Sequence, residues 1–214
     1  MSGQRLVRGF GWSAIWVLIL VVMVFLTIRV GNDLEALSTG TIPPEGEFDR
    51  RYALNPALAY AHILPGAVYL LGAPVQLSRR IRTRSLRFHR ALGRVVLVAG
   101  IVTGLFAIAV GILMPFGGSA ETTATVVFGT YFLAALTLAY RAIRRGKIPT
   151  HRRWMIRAFA LGVGVGLIRI IVGIFEGTGA LEFSDAFGLS FWLAFVIMTV
   201  AAETWLRLRP HAVW

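Results

Sequence analysis

An all-α fold, a polytopic membrane bundle of six transmembrane helices, is what this sequence predicts, and three observations predict it. Hydrophobic residues make up 57% of the 214 positions and charged residues only 15%, a balance far from that of a soluble domain. The apolar residues gather into six stretches, 12–29, 57–77, 93–115, 122–141, 155–175 and 188–206, each near the ~20 residues that cross the hydrocarbon as a helix. These runs are continuously apolar, whereas the strands of a membrane barrel would alternate. Residues 1–214 therefore read as a single integral membrane domain.

The first span, 12–29, follows Arg5 and Arg8. It is long for a signal-peptide core and lacks a small-x-small cleavage site before Arg29-Val30-Gly31, so it reads as uncleaved. The second, 57–77, carries His62, Tyr69 and Gln76, whose spacing puts them on nearly one helical face. "RFHRALGRVV" opens the third span and "PTHRRWMIRA" the fifth. The fourth follows Glu121, and the sixth follows Glu182 and Asp185.

Charge sets the orientation. Arg79, Arg80, Arg82, Arg84, Arg87, Arg90 and Arg94 crowd the second connection, and Arg141, Arg144, Arg145, Lys147, Arg152, Arg153 and Arg157 the fourth, with Arg207 and Arg209 after the last span. The acids Asp33, Glu35, Glu45, Glu47, Asp49, Glu121, Glu176, Glu182 and Asp185 fall on the other side, against Arg29, Arg50 and Arg51. Because Lys and Arg collect on the cytoplasmic side, both termini are expected there. The net charge of +12 is thereby explained by topology, and no soluble fold carries it to nucleic acid. Its natural partner is the anionic headgroup layer, at around 1 kcal/mol per basic residue near the surface. With no cysteine, disulfides and thiolate metal ligands are excluded.

The chain also repeats itself. An offset of 62 residues aligns His89 with His151, Arg90 with Arg152, Gly100 with Gly162, Gly104 with Gly166, Tyr69 with Tyr131 and Arg79 with Arg141. Residues 57–115 and 119–177 thus read as two parallel copies of a helical hairpin, a four-helix core about a pseudo-twofold along the membrane normal, flanked by the first and last spans.

Helical phase places His89, Gly93, Gly100 and Gly104 within about 60° of one another, and His151, Gly162, Gly166, Arg169 and Glu176 in a similar stripe. Glycine faces admit a neighbouring backbone or leave a slot for a flat ligand. On the second reading His89 and His151 face each other across the axis as the two iron ligands of a haem b. Gln76, Arg90 and Arg152 would hold its propionates and Gly93, Gly100 and Gly162 would line the slot; a quinone is the other flat ligand such a slot would take. On the first reading the histidines anchor helix ends. Arg169 lies about 10 Å of helix rise from the outer end of its span. An ionisable group there must face the bundle interior and find a partner. With His62, Tyr69 and Glu176 it defines an intramembrane polar site suited to an anion or a proton. No phosphate loop, His-Glu-x-x-His or Gly-x-Ser-x-Gly motif occurs, so no catalytic set is expected from motifs.

His62, Gln76 before the Arg-rich loop, "HRALGR" at 89–94 and "HRRWMIR" at 151–157 resemble a bacterial family of predicted multi-spanning membrane proteins classed as a domain of unknown function, over about residues 55–205. That resemblance implies a bacterial inner membrane and brings no activity. Helix count and histidine placement are also similar to the six-helix, di-haem b-type cytochromes. Such proteins carry two histidine pairs, whereas the repeat partner of His62 is Ala124, so only His89 and His151 carry over. Three functions stay open at this point: an electron-transfer protein with haem or quinone, a small transporter or lipid-binding module, and a noncatalytic subunit or homo-oligomer within a membrane complex.

Overall fold

The computed structural model describes residues 2–208, with side chains from Gly11 onward; Arg209 lies outside the described residues. The order of helices is α1 (Ser2–Thr39), α2 (Arg50–Leu54), α3 (Pro56–Leu77), α4 (Arg79–Arg84), α5 (Leu86–Leu113), α6 (Gly118–Arg144), α7 (Ile148–Thr178) and α8 (Phe183–Leu208). Six of them, α1, α3, α5, α6, α7 and α8, are long and apolar enough to cross a membrane, as the sequence predicts. Most helices overrun their apolar stretches, because a helix satisfies its own backbone and continues into the interface where charged side chains are cheap; α5 begins earlier than expected but stops at Leu113, short of 115. Local chemistry sets the ends. Pro56 and Pro149 occupy first turns, where a missing N–H costs nothing, the Ser85 hydroxyl accepts the Phe88 N–H at 3.3 Å, and Gly179 closes α7 at φ 64°.

The repeat reappears in the boundaries: α3 and α6 begin at 56 and 118, α5 and α7 at 86 and 148, both pairs 62 apart. Each hairpin packs on itself, α3 on α5 and α6 on α7, and α5 packs closely on α6. The equivalent seam between α3 and α7 is loose, and α1 lies across it, mainly against α7; α8 covers α6 and α7. Large apolar side chains such as Leu20, Leu71, Val98, Leu105 and Val200 remain exposed, as expected of faces solvated by acyl chains rather than water.

The core centres on Tyr69, which is 1% exposed and meets Phe132 edge-on at 5.3 Å. Here the structure corrects one expectation. A Cβ at Gly162 would come 2.6 Å from the Tyr69 ring, and one at Gly100 would come 2.8 Å from the same ring. The two glycine faces do point inward, but the slot expected between them is filled by an aromatic side chain from α3. Gly166 serves α1 in the same way, facing the Leu18 carbonyl, and Gly93 faces the Gln76 side chain, whose Oε1 would lie 3.1 Å from a Cβ there. At these positions glycine is a packing device, the reading in which small residues let helices close on one another.

Candidate functional site

The loose α3–α7 seam leaves a cavity of about 440 Å³ toward the acidic end of the bundle, walled by α1, α3, α5, α6, α7, α8 and the segment around α2. Most of its wall is apolar, supplied by rings such as Phe25, Phe48, Phe128, Phe132, Phe187 and Phe191. Three arginines stand in or beside it, and each is held differently.

Arg29 on α1 is fully paired. It bonds Asp33 one turn along the helix, reaches Asp49 at 2.6 Å and lies 4.7 Å from the Tyr52 ring. Tyr60 on α3 donates to the same Asp33 at 2.7 Å, so this network pins α1 to α3. Arg51 on α2 donates to the Met114 carbonyl at 2.7 Å and stands 3.7 Å from Glu121. Glu121 in turn accepts the N–H groups of Phe116 and Gly117 at 2.6 and 2.7 Å, at the start of α6, where a helix N-terminus favours a carboxylate.

Arg169 on α7 has no such acid. Among the described residues no carboxylate ion-pairs with it; its neighbours are the Tyr52 hydroxyl, the like charge of Arg51, and Glu121, already committed to Arg51. Its guanidinium lies 5.4 Å from the Phe25 ring, 5.8 Å from Phe187 and 5.9 Å from Phe48, and part of its surface opens into the cavity. Cation–π contacts return about 2 kcal/mol when desolvated. Removing a charge from water costs several kcal/mol. The cage and the Tyr52 hydroxyl therefore offset part of the cost.

His62 on α3 borders the same cavity and feels the Arg169 charge. Its Nδ1 donates to the Thr103 carbonyl on α5 at 3.0 Å, while the Thr103 hydroxyl donates back to the His62 carbonyl at 2.8 Å. Pro65 interrupts the α3 backbone ladder in this turn, and Gly66 lets α5 approach: a Cβ there would sit 3.0 Å from Thr103 Oγ1. A carbonyl only accepts, so in the neutral ring the proton sits on Nδ1 and Nε2 is the acceptor.

Of the expected polar site, His62, Tyr69, Arg169 and Glu176 all border the cavity. Tyr69 contributes a buried wall, and Glu176 is exposed at the rim. The acid near Arg169 is Glu121, from another helix, rather than Glu176 on its own stripe. Arg51, Tyr52, Phe48, Glu121 and Thr103 were missed by sequence reasoning. One signal was available: Arg29, Arg50 and Arg51 lie on the acidic side, against the charge bias, and Arg29 and Arg51 are half-buried in ion pairs.

The expected cofactor pair lies at the opposite, arginine-rich end. His89 and His151 sit in the first turns of α5 and α7, in electrostatic reach of one another and of Arg82, Arg90 and Arg152. His151 Nδ1 donates to the Ala139 carbonyl at 2.9 Å, while His89 Nδ1 and Gln76 Nε2 are buried without a partner. Gly93 is turned to Gln76, and Gly100 and Gly162 hold Tyr69, so the glycine faces that would line a haem plane are occupied by side chains of α3. Among the described residues no three metal-ligating side chains converge.

The family described as Predicted membrane protein (DUF2306) matches residues 59–206, close to the span of the resemblance read from the motifs. No curated protein and no solved structure matches the chain.

Proposed function

Because the chain belongs to this family of predicted membrane proteins, whose description carries no activity, we propose its function from the cavity: it binds an amphiphilic anion taken from the bilayer, as a small transporter or lipid-binding module. The observation that carries this reading is Arg169, a cation in an apolar, ring-lined cavity with no carboxylate of its own. The arrangement divides the ligand into two parts. A carboxylate or phosphate head accepts from the Arg169 guanidinium, with the Tyr52 hydroxyl beside it as a second donor, and a head that enters as the protonated acid gives its proton to His62 Nε2. An acyl-like tail lies along the rings and along Val22, Leu26 and Ala107. With the arginine-rich end and both termini in the cytoplasm of a bacterial inner membrane, the site opens in the outer half of the bilayer.

The test is binding of a fluorescent long-chain fatty acid and of its methyl ester to purified protein in nanodiscs. Hydrogen bonds to charged groups contribute about 1.5–3 kcal/mol, so Arg169→Gln should weaken the acid about ten- to hundredfold and leave the ester unchanged. Arg169→Lys should retain part of the affinity. Equal binding of acid and ester by the unaltered protein, or undiminished acid binding by a folded Arg169→Gln, would sink the proposal.

A further inference from the structure

A second cavity lies at the other end of the molecule, and different chemistry lines it. Between the start of the first membrane span and the α3–α4 corner runs an open groove of about 660 Å³. Trp12 and Trp16, one turn apart on α1, form one wall; Val75 and Leu77 from the end of α3 form the other, and Arg79 and Arg80 on α4 stand at its mouth. Tryptophan belongs at the depth where acyl chains meet headgroups, and the end of α3 places the groove there. Ser78 breaks the helix with an extended backbone (ψ 119°) and starts α4 in a new direction, so the two arginines come to the mouth instead of continuing along the membrane normal. Both are exposed, and no described carboxylate pairs with either. Arg79 also feels the charge of a further cation, Arg82.

We infer that this groove is a specific site for an anionic phospholipid, with the phosphate between Arg79 and Arg80 and an acyl chain on the tryptophan-lined floor. The charged groups among its described lining are Arg79 and Arg80, and the rest is mainly apolar, with the hydroxyls of Ser78 and Thr83, at the level of an interface. This complementarity fits a net-negative lipid; a zwitterionic headgroup would bring its own cation against the two guanidiniums. The repeat does not explain the pair, because Arg80 corresponds to Ala142, whose side chain is buried. The site belongs to the first hairpin and α1 alone.

Native mass spectrometry of protein released from vesicles of equal phosphatidylglycerol and phosphatidylcholine tests it. The unaltered protein should retain phosphatidylglycerol several-fold over phosphatidylcholine. Arg79→Gln with Arg80→Gln should abolish that preference, while Arg84→Gln with Arg87→Gln, an equal change in charge on exposed residues outside the groove, should preserve it. Equal loss in both double variants, or no preference in the unaltered protein, overturns the site in favour of diffuse surface attraction. Quenching by acyl-brominated phosphatidylglycerol gives a reading on protein with every arginine intact. Quenching that falls several-fold in Trp12→Phe with Trp16→Phe supports the groove, and quenching unchanged by that pair refutes it.

Discussion

At the scale of single residues, the acidic end turns on which of its carboxylates reach the half-buried arginines Arg29, Arg51 and Arg169. Glu121 is the hinge of that pairing: 4% exposed at its side chain, it accepts two backbone N–H groups and faces Arg51. Glu121→Ala would strand Arg51 beside Arg169 and leave both N–H groups without an acceptor. Breaking a buried pair in this manner costs about 3–5 kcal/mol, so the detergent melting midpoint should fall sharply, and Glu121→Gln, which keeps an acceptor oxygen, should fall by less. Glu45→Ala is the comparison. Its pair with Arg50 spans 3.6 Å with Glu45 91% exposed, and the midpoint should not move, since solvent screens such pairs. A midpoint for Glu121→Ala equal to that of Glu45→Ala would show that Glu121 is not the anchor described. Arg169 was legible in the sequence because a charge inside an apolar run must face inward. Its cage was not, because Phe48, Tyr52 and Arg51 come from a connection with no periodicity to place them, and Glu121 reads as one more acid of an outer face.

At the scale of elements, the glycines decide how closely helices approach, and the decision differs between two glycines on the same helix. At Gly166 an added methyl would run into the Leu18 carbonyl of α1, backbone that yields only if the helix moves. At Gly173 there is nothing within 4 Å. Gly166→Ala should therefore lower the melting midpoint, by the roughly 1–3 kcal/mol typical of overpacking. Gly173→Ala should hold or raise it, since alanine is favoured over glycine in a helix by about 0.8–1.0 kcal/mol. Thermal denaturation followed by circular dichroism separates the two, and equal loss at both sites would mean that glycine is needed for helix flexibility and not for the contact with α1. Sequence periodicity identified these inward faces correctly, as one side of a helix reads directly from spacing. What fills the space opposite them depends on how another helix is placed. Nothing in the spacing of Gly100 and Gly162 announced that the Tyr69 ring would occupy the gap, and spacing alone allowed both close packing and a slot for a flat ligand.

At the scale of the whole molecule, the repeat and its failure together produce the cavity. Two hairpins offset by 62 residues would make the α5–α6 and α3–α7 seams equivalent, yet the first is close and the second loose, with α1 across it. The polar face that borders the gap is present in one copy only: His62 and Thr103 correspond to Ala124 and Val165, and Ala124 is completely buried. The offset was legible from the aligned His-Arg pairs, and so was the unmatched His62 against Ala124; the unequal seams were not, because they lie in how α1 is inserted. The same asymmetry gives the molecule a direction, with the cavity at the acidic end and the arginine-rich connections at the other. Since basic loops stay on the cytoplasmic side, orientation decides which leaflet the cavity serves, and a cysteine-free chain allows a direct measurement. Thr41 and Lys147 are exposed at opposite ends, so Thr41→Cys and Lys147→Cys should each carry the only thiol without disturbing a packed contact. In intact bacterial cells a membrane-impermeant maleimide should label Thr41→Cys at once and reach Lys147→Cys only after permeabilisation. The reverse pattern would place the Arg169 cavity on the cytoplasmic side and make the proposed anion site one reached from the inner leaflet.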